Sequence, residues 1–225
     1  MGTTTAAPLV LLDLDGTLTD SAPGIMASAA AAFDALGLAR PTPDELRSFV
    51  GPPLPVSMRA LGVPPERLSE AVRAYRASFA AGNMWDNRVY DGIPEQLGLL
   101  RAAGCTLAVA TSKPEVYARP ICERFGLTAR VDGVYGAPLD DVPSSKASVI
   151  AHSLADLRRR ELVPDAERIL MVGDRHHDVE GAREHDIDCL GVGWGYAVLG
   201  ELADAVGVVP RVDDLAAAVL ARLTG

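Results

Sequence analysis

An α/β fold, a doubly wound parallel sheet carrying an inserted helical domain, follows from three observations on this 225-residue chain. Short apolar runs alternate with helical stretches, the pattern of right-handed strand–helix–strand crossovers. Two of those runs end in acid-rich turns, as strands do where an open α/β sheet places its ligands. Between the first run and the next, residues 22–86 carry helical patterns and no convincing strand, far more than a single crossover needs.

The first strand is the apolar run Pro8 to Leu12, ending in Asp13-Leu14-Asp15-Gly16-Thr17. Side chains alternate along a strand, so Asp13 and Asp15 start on one side, and Gly16 lets the chain turn sharply. The insertion then reads as an Ala-rich helix over Ala22–Leu36, a short one over Asp44–Val50 and an amphipathic one over Glu66–Ala81. Pro41, Pro43 and Gly51-Pro52-Pro53-Leu54-Pro55 punctuate them. Further strands are expected at Thr106–Thr111, Val131–Tyr135, Ile169–Gly173 and Cys189–Val192. Helices are expected at Ile93–Ala103, Pro114–Phe125, Ser144–Arg160, Asp178–His185 and Val212–Leu223. The domains are then a core of residues 1–20 with 87–225 and a helical cap of residues 21–86.

At 48% hydrophobic and 23% charged the composition is that of an ordinary globular protein. A formal net charge of −9 argues against nucleic acid or an anionic membrane as partner. Cys105, Cys122 and Cys189 are odd in number and widely spaced, so disulfides and a zinc site are not expected. They read as small buried hydrophobes in a reducing cytoplasm. The start of the chain lacks a basic signal-peptide region, its apolar run is too short to span a bilayer, and Ala6 breaks the myristoylation pattern. Among 21 basic residues only Lys113 and Lys146 are lysines. Lysine offers a compact point charge that fits among several oxygens, which arginine does not.

Four strand ends supply the chemistry. Asp13 and Asp15 repel unless a cation or a shared proton relieves them, and a hard divalent ion, Mg²⁺ above all, is the simplest relief. Thr111-Ser112-Lys113-Pro114 places a hydroxyl and free backbone N–H groups at a helix start, suited to phosphate. Lys146 opens the helix after the third strand. Gly173-Asp174 through Asp178 adds a second pair of acids, able to chelate a metal and orient a lysine. Each cluster alone also reads as a helix cap, a turn or a surface charge. His176 and His177 suggest zinc, but the oxygen-rich surroundings favour Mg²⁺ and adjacent residues seldom point at one metal.

With these residues in order, the chain resembles the haloacid dehalogenase-like hydrolase superfamily, in its phosphatase branch with a helical cap after the first strand. Phe49-Val50-Gly51-Pro52-Pro53-Leu54 and Gly173-Asp174-Arg175-x-His177-Asp178 are similar to phosphoglycolate phosphatases and 5′-nucleotidase-like enzymes. One departure is Lys146-Ala147, where relatives often carry Lys-Pro. The resemblance implies that Asp13 is a nucleophile forming an aspartyl-phosphate and that Asp15 is the acid and base. It implies Mg²⁺ held by Asp13, the Asp15 carbonyl and Asp174. The phosphoryl group would be bound by Gly16, Thr111, Ser112 and Lys146, with Asp178 anchoring Lys146 behind.

Asp15 disfavours a dehalogenase, which lacks the second acid, and a cap without lysine disfavours a phosphonate hydrolase. A sugar phosphomutase and a non-catalytic phospho-Asp regulatory module remain alternatives. Substrate selection is expected from Gly51, Pro52 and Arg88. Trp85 and Tyr90 read as hinge packing. The expected partner is a small phosphorylated metabolite, with no nucleic acid polymer and no membrane, and the protein a monomer or weak homodimer.

Overall fold

Leu9–Leu12, strand β1, lies at the middle of the chain's main sheet with all four side chains fully buried. A continuous Leu/Val run suits a parallel strand covered on both faces. The computed structural model describes residues 7–139, 144–164 and 168–224. It divides into two compact units. Residues up to Leu18 with those from Val89 onward form one, and Thr19–Arg88 form the other.

In chain order, Thr19–Asp20 (β2) is followed by four helices of the second unit: Ala22–Ala35 (α1), Pro43–Arg47 (α2), Leu54–Ala60 (α3) and Leu68–Ala81 (α4). α1 packs on α4, which buries Ala71, Val72, Tyr75 and Phe79 from one face, as i, i+4 spacing requires. Thr42 and Glu45 cap α2 reciprocally, Thr42 N–H donating to the Glu45 carboxylate at 2.8 Å. The cluster Gly51–Pro55, expected only to interrupt, in fact starts α3. Pro55 falls in the first helical turn, where a missing N–H and a fixed φ are no handicap.

Beyond Arg88–Val89 (β3), the first unit continues through Ile93–Ala102 (α5), Thr106–Pro114 (β4), Glu115–Arg124 (α6), Gly133–Ala137 (β5), Lys146–Arg159 (α7), Ile169–Gly173 (β6), His176–Arg183 (α8), Asp188–Val192 (β7), Gly207–Val209 (β8) and Leu215–Thr224 (α9). The six-stranded sheet has the order β5-β4-β1-β6-β7-β8, and its pairings are parallel. One side of the core gathers Leu9, Leu11, Ala108, Ala110, Ile169 and Met171 from the central strands against Ile150 and Leu154 of α7. The three cysteines are buried and unbridged. No described helix is long and apolar enough to cross a membrane.

Four differences from the sequence expectation have clear causes. β4 runs on to Pro114 instead of stopping at Thr111, through a register shift against β5. β5 starts at Gly133 because Asp132 is already used ahead of it, its carboxylate accepting the Leu107 N–H at 3.0 Å. α8 starts at His176, two residues early, because Asp178 reaches back to the Arg175 N–H at 3.1 Å and so becomes its third residue. β8 is only three residues long, too short to stand out among apolar loop residues.

Candidate active site

The sheet order brings the C-terminal ends of β4, β1 and β6 side by side, and the first unit alone contains the whole polar cluster. The Asp13 N–H donates to the Val172 carbonyl at 2.9 Å, so the ladder between β1 and β6 holds this residue at the strand end. Asp13, Asp174 and Asp178 are all buried, and each offers a carboxylate oxygen within 4.8 Å of the others.

Lys146 lies among them. Its Nζ is 2.8 Å from Asp13 Oδ1, 2.7 Å from Asp178 Oδ1 and 3.0 Å from the Ala110 carbonyl oxygen, to which it donates. One ammonium thus makes a hydrogen bond to the carbonyl and ion pairs with two carboxylates, as a compact point charge can. Burial opposes the charge on Lys146, but Asp13 and Asp178 outweigh it and raise the group above the usual lysine range. Lys146 is the first residue of α7 because Ser145 and Ser148 cap that helix. Ser145 Oγ accepts the Ser148 N–H, and Ser148 Oγ accepts the Ser145 N–H, both at 3.1 Å. The hydroxyl box starts the helix without a proline after Lys146.

Asp178 has both oxygens engaged, Oδ1 by Lys146 and Oδ2 by the Arg175 N–H. It therefore acts as the anchor of the lysine rather than as an open ligand. Asp174 is fully buried. Its Oδ2 accepts the Tyr196 N–H at 2.7 Å and its Oδ1 accepts the Thr17 hydroxyl at 3.3 Å. Burial first, then the charges of Asp178 and Asp13, push Asp174 well above the usual carboxylate range. A buried acid this disfavoured as an anion calls for a cation beside it. The all-oxygen set of Asp13 and Asp174 fits a hard divalent ion.

Gly16 has φ +82°, and a Cβ there would stand 2.2 Å from Asp174 Oδ2 and 2.6 Å from the Tyr196 ring. Only glycine lets the β1 turn pass this close to the acid. Thr111 is buried in β4, and its hydroxyl accepts the Lys113 N–H at 3.3 Å. Thr111 stands on β4 as expected, and because the strand continues to Pro114, Ser112 stands on it too instead of at the helix start. The Ser112 N–H is therefore not a first-turn helix donor, and it lies where β4 shifts register against β5. Gly51 and Pro52 belong to the second unit, on the segment before α3. Arg88, also there, is exposed and pairs with Asp20 at 3.2 Å.

Residue-by-residue reading missed three contributors. Lys113 Nζ lies 2.9 Å from Asp15 Oδ2, with both side chains largely buried. The scarcity of lysine was the signal that could have found it. Tyr196 serves through its main chain and leaves no side-chain signal. Glu201 accepts from Arg175 Nε and is paired with His176 Nδ1, both at 2.6 Å, which ties the start of α8 to the loop after β7. Burial opposes ionisation of Glu201, but Arg175, His176 and the Val198 N–H overcome it and pull its carboxyl down to about 2. The rings of His176 and His177 lie 3.8 Å apart at a tilt of 46°, and Glu180 lies near both.

Residues 10–192 match the family described as haloacid dehalogenase-like hydrolase. Tyrosine-protein kinase PtkA of Mycobacterium tuberculosis is 44% identical over 217 residues, covering 89% of this chain and 72% of PtkA. A 5′-nucleotidase of Pseudomonas aeruginosa is 42% identical over 196 residues, 87% of this chain and 86% of its own. A crystal structure from Clostridium acetobutylicum, described as a predicted phosphatase, superposes with a TM-score of 0.88 at 36% identity, covering 96% of this chain and all of that one. The chain therefore belongs to the haloacid dehalogenase-like hydrolases, in the branch that contains phosphatases and 5′-nucleotidases.

Proposed function

We propose that this phosphatase is Mg²⁺-dependent and cleaves a small phosphate monoester, phosphoglycolate-like or a nucleoside 5′-monophosphate, through an aspartyl-phosphate on Asp13. The observation that carries the reading is the buried ammonium of Lys146 between Asp13 and Asp178 beside the fully buried Asp174. It is a site built to balance several negative charges at one strand end.

Asp13 attacks phosphorus. A bond forms between its carboxylate oxygen and phosphorus as the ester oxygen leaves with a proton from Asp15. Water then gives a proton to Asp15 and attacks the phosphorus, freeing Asp13 and inorganic phosphate. Lys146 offsets charge on the phosphoryl oxygens and on Asp13, and the Thr111 hydroxyl and Ser112 N–H bind those oxygens. Asp13, Asp174 and the Asp15 carbonyl would hold Mg²⁺, which when bound neutralises charge on the transferring group. The helical unit would act as a cap that excludes water, with Gly51, Pro52 and Arg88 selecting the ester. Arg88 would have to leave Asp20 to do so.

Phosphate release with Mg²⁺ across phosphoglycolate, nucleoside 5′-monophosphates, sugar phosphates, pyrophosphate and phosphotyrosine tests the reading. Selective turnover is expected, abolished by EDTA and by Asp13→Asn, with folding of the variant intact. Full activity of Asp13→Asn would overturn the covalent route. The identity with PtkA favours one second reading, phosphoryl transfer to a tyrosine hydroxyl. Phosphotyrosine formed from ATP, with no ester hydrolysed, would select it.

A further inference from the structure

We propose that Lys113 is a positioning residue for Asp15, occupying Oδ2 so that proton transfer takes place at Oδ1. This rests on the phosphatase reading above. Lys113 Nζ stands 2.9 Å from Asp15 Oδ2, with the side chains 6% and 13% exposed. Asp15 Oδ1 is buried and has no hydrogen-bond partner among the described residues. A carboxylate so held has two unequal oxygens. One faces an ammonium, and a proton there would meet a like charge. The other has no hydrogen-bond partner among the described residues, and a proton on Asp15 has its place there.

The backbone around Lys113 is built for this contact. β4 carries on past Thr111 with a shift of register, and the Lys113 N–H is tied to Thr111 Oγ1 at 3.3 Å. The same stretch lies flush on Gly136 of β5, where a Cβ would come within 2.6 Å of both the Lys113 carbonyl oxygen and the Glu115 backbone. The Gly136 N–H also donates to the Glu115 carboxylate at 3.1 Å. The strand end is thus fixed from two sides, and the ammonium meets Asp15 from a rigid base. Each of the chain's two lysines is paired with one of the two acids after β1: Lys146 with Asp13, Lys113 with Asp15. A flexible surface lysine would show no such division.

In the first half-reaction the proton on Oδ1 passes to the departing ester oxygen as the bond from Asp13 to phosphorus forms. In the second, Oδ1 takes a proton from the attacking water as that bond breaks, and Asp15 is restored. Without Lys113 the carboxyl turns freely, and the proton sits on the wrong oxygen for much of the time. The loss should therefore grow with the need for a proton at the leaving group.

The test is a double-mutant cycle of Lys113→Met and Asp15→Asn on two esters, an alkyl phosphate and 4-nitrophenyl phosphate, whose phenolate leaves with little help. General acid–base catalysis is worth about 10²–10⁴-fold. Lys113→Met should lower kcat on the alkyl ester by roughly 10²-fold, with KM changed little. On the aryl ester, phosphoenzyme formation should fall less than its hydrolysis, giving a burst of 4-nitrophenol. In the Asp15→Asn background, loss of Lys113 should cost almost nothing further. Equal losses in the rate of phosphoenzyme formation on both esters, or additive losses in the cycle, overturn the proposal. If Lys113→Met fails to fold, Lys113→Gln takes its place, with the same ratio between esters as readout. No ester turnover by the wild type would instead sink the phosphatase reading itself.

Discussion

Gly181 and Gly98 both lie inside helices, α8 and α5, and the same substitution at the two should act in opposite senses. At Gly98, which is exposed, an added Cβ meets nothing within 4 Å. Alanine there restricts the unfolded chain and favours the helix, stabilising by about 1 kcal/mol. At Gly181 the added carbon would stand 2.7 Å from Lys146 Cβ, 2.8 Å from its Cγ and 2.9 Å from the Ala147 nitrogen. Ordinary carbon contacts begin at about 3.5 Å, so α7 and α8 must part by roughly 0.8 Å. One obstacle is backbone and cannot swing aside. Overpacking of this kind costs about 1–3 kcal/mol, leaving a net loss of about 0–2 kcal/mol after the helix gain. The catalytic cost should be larger. A shift of that size at Lys146 stretches contacts of 2.7 and 2.8 Å to Asp178 and Asp13. Displacements near 1 Å can cost about 10²-fold, so kcat should fall by roughly 10–10²-fold. Urea denaturation and initial rates on the best ester of the panel check both numbers. If Gly181→Ala is as stable and as active as Gly98→Ala, Gly181 does not set the position of Lys146.

Lys146→Arg should lose at least about 10² in kcat, because a planar fork cannot meet the Asp13, Asp178 and Ala110 oxygens from one point. Near-normal rates would refute the point-charge account. Lys146→Met should destabilise by about 3–5 kcal/mol, since it leaves two buried acids without their partner, and its urea midpoint reads this directly. Glu201 should carry acid sensitivity. Its folded value near 2 lies below the ordinary 4.5, so its stabilisation is whole above about pH 5 and is lost as pH falls from there towards 2. Between pH 7 and pH 4 it should cost the wild type at most about 0.8 kcal/mol more than Glu201→Gln, before screening. Parallel pH profiles of the two would contradict this.

Asp13, Asp15, Asp174 and Asp178 were legible because strand-end chemistry is local, and Lys146 because lysine is scarce in this chain. An apolar run shows where a strand stops, and the next few residues must face the ligand edge of the sheet. The cysteines and the long helices were legible for the same reason, each being set by composition or spacing within a short window. β8 and α3 were not, one being only three residues long and the other starting within a proline cluster that also reads as a break. The run of β4 past Thr111, which puts Ser112 on a strand, escaped too, since Pro114 marks a helix boundary but does not say which element precedes it.

By itself, then, the sequence determined the parallel α/β plan and pointed to the acids and the lysine that the structure gathers at one edge of the sheet. These depend on hydrophobic period and on residues within a few positions of one another. Only the tertiary structure decided that Lys113 holds Asp15, that Tyr196 and Thr17 hold Asp174, and that Gly181 leaves room for Lys146. These partners come from elements far apart along the chain. Which atoms meet depends on sheet order, on the register shift in β4 and on the gap between two helices, and none of these has a local signature.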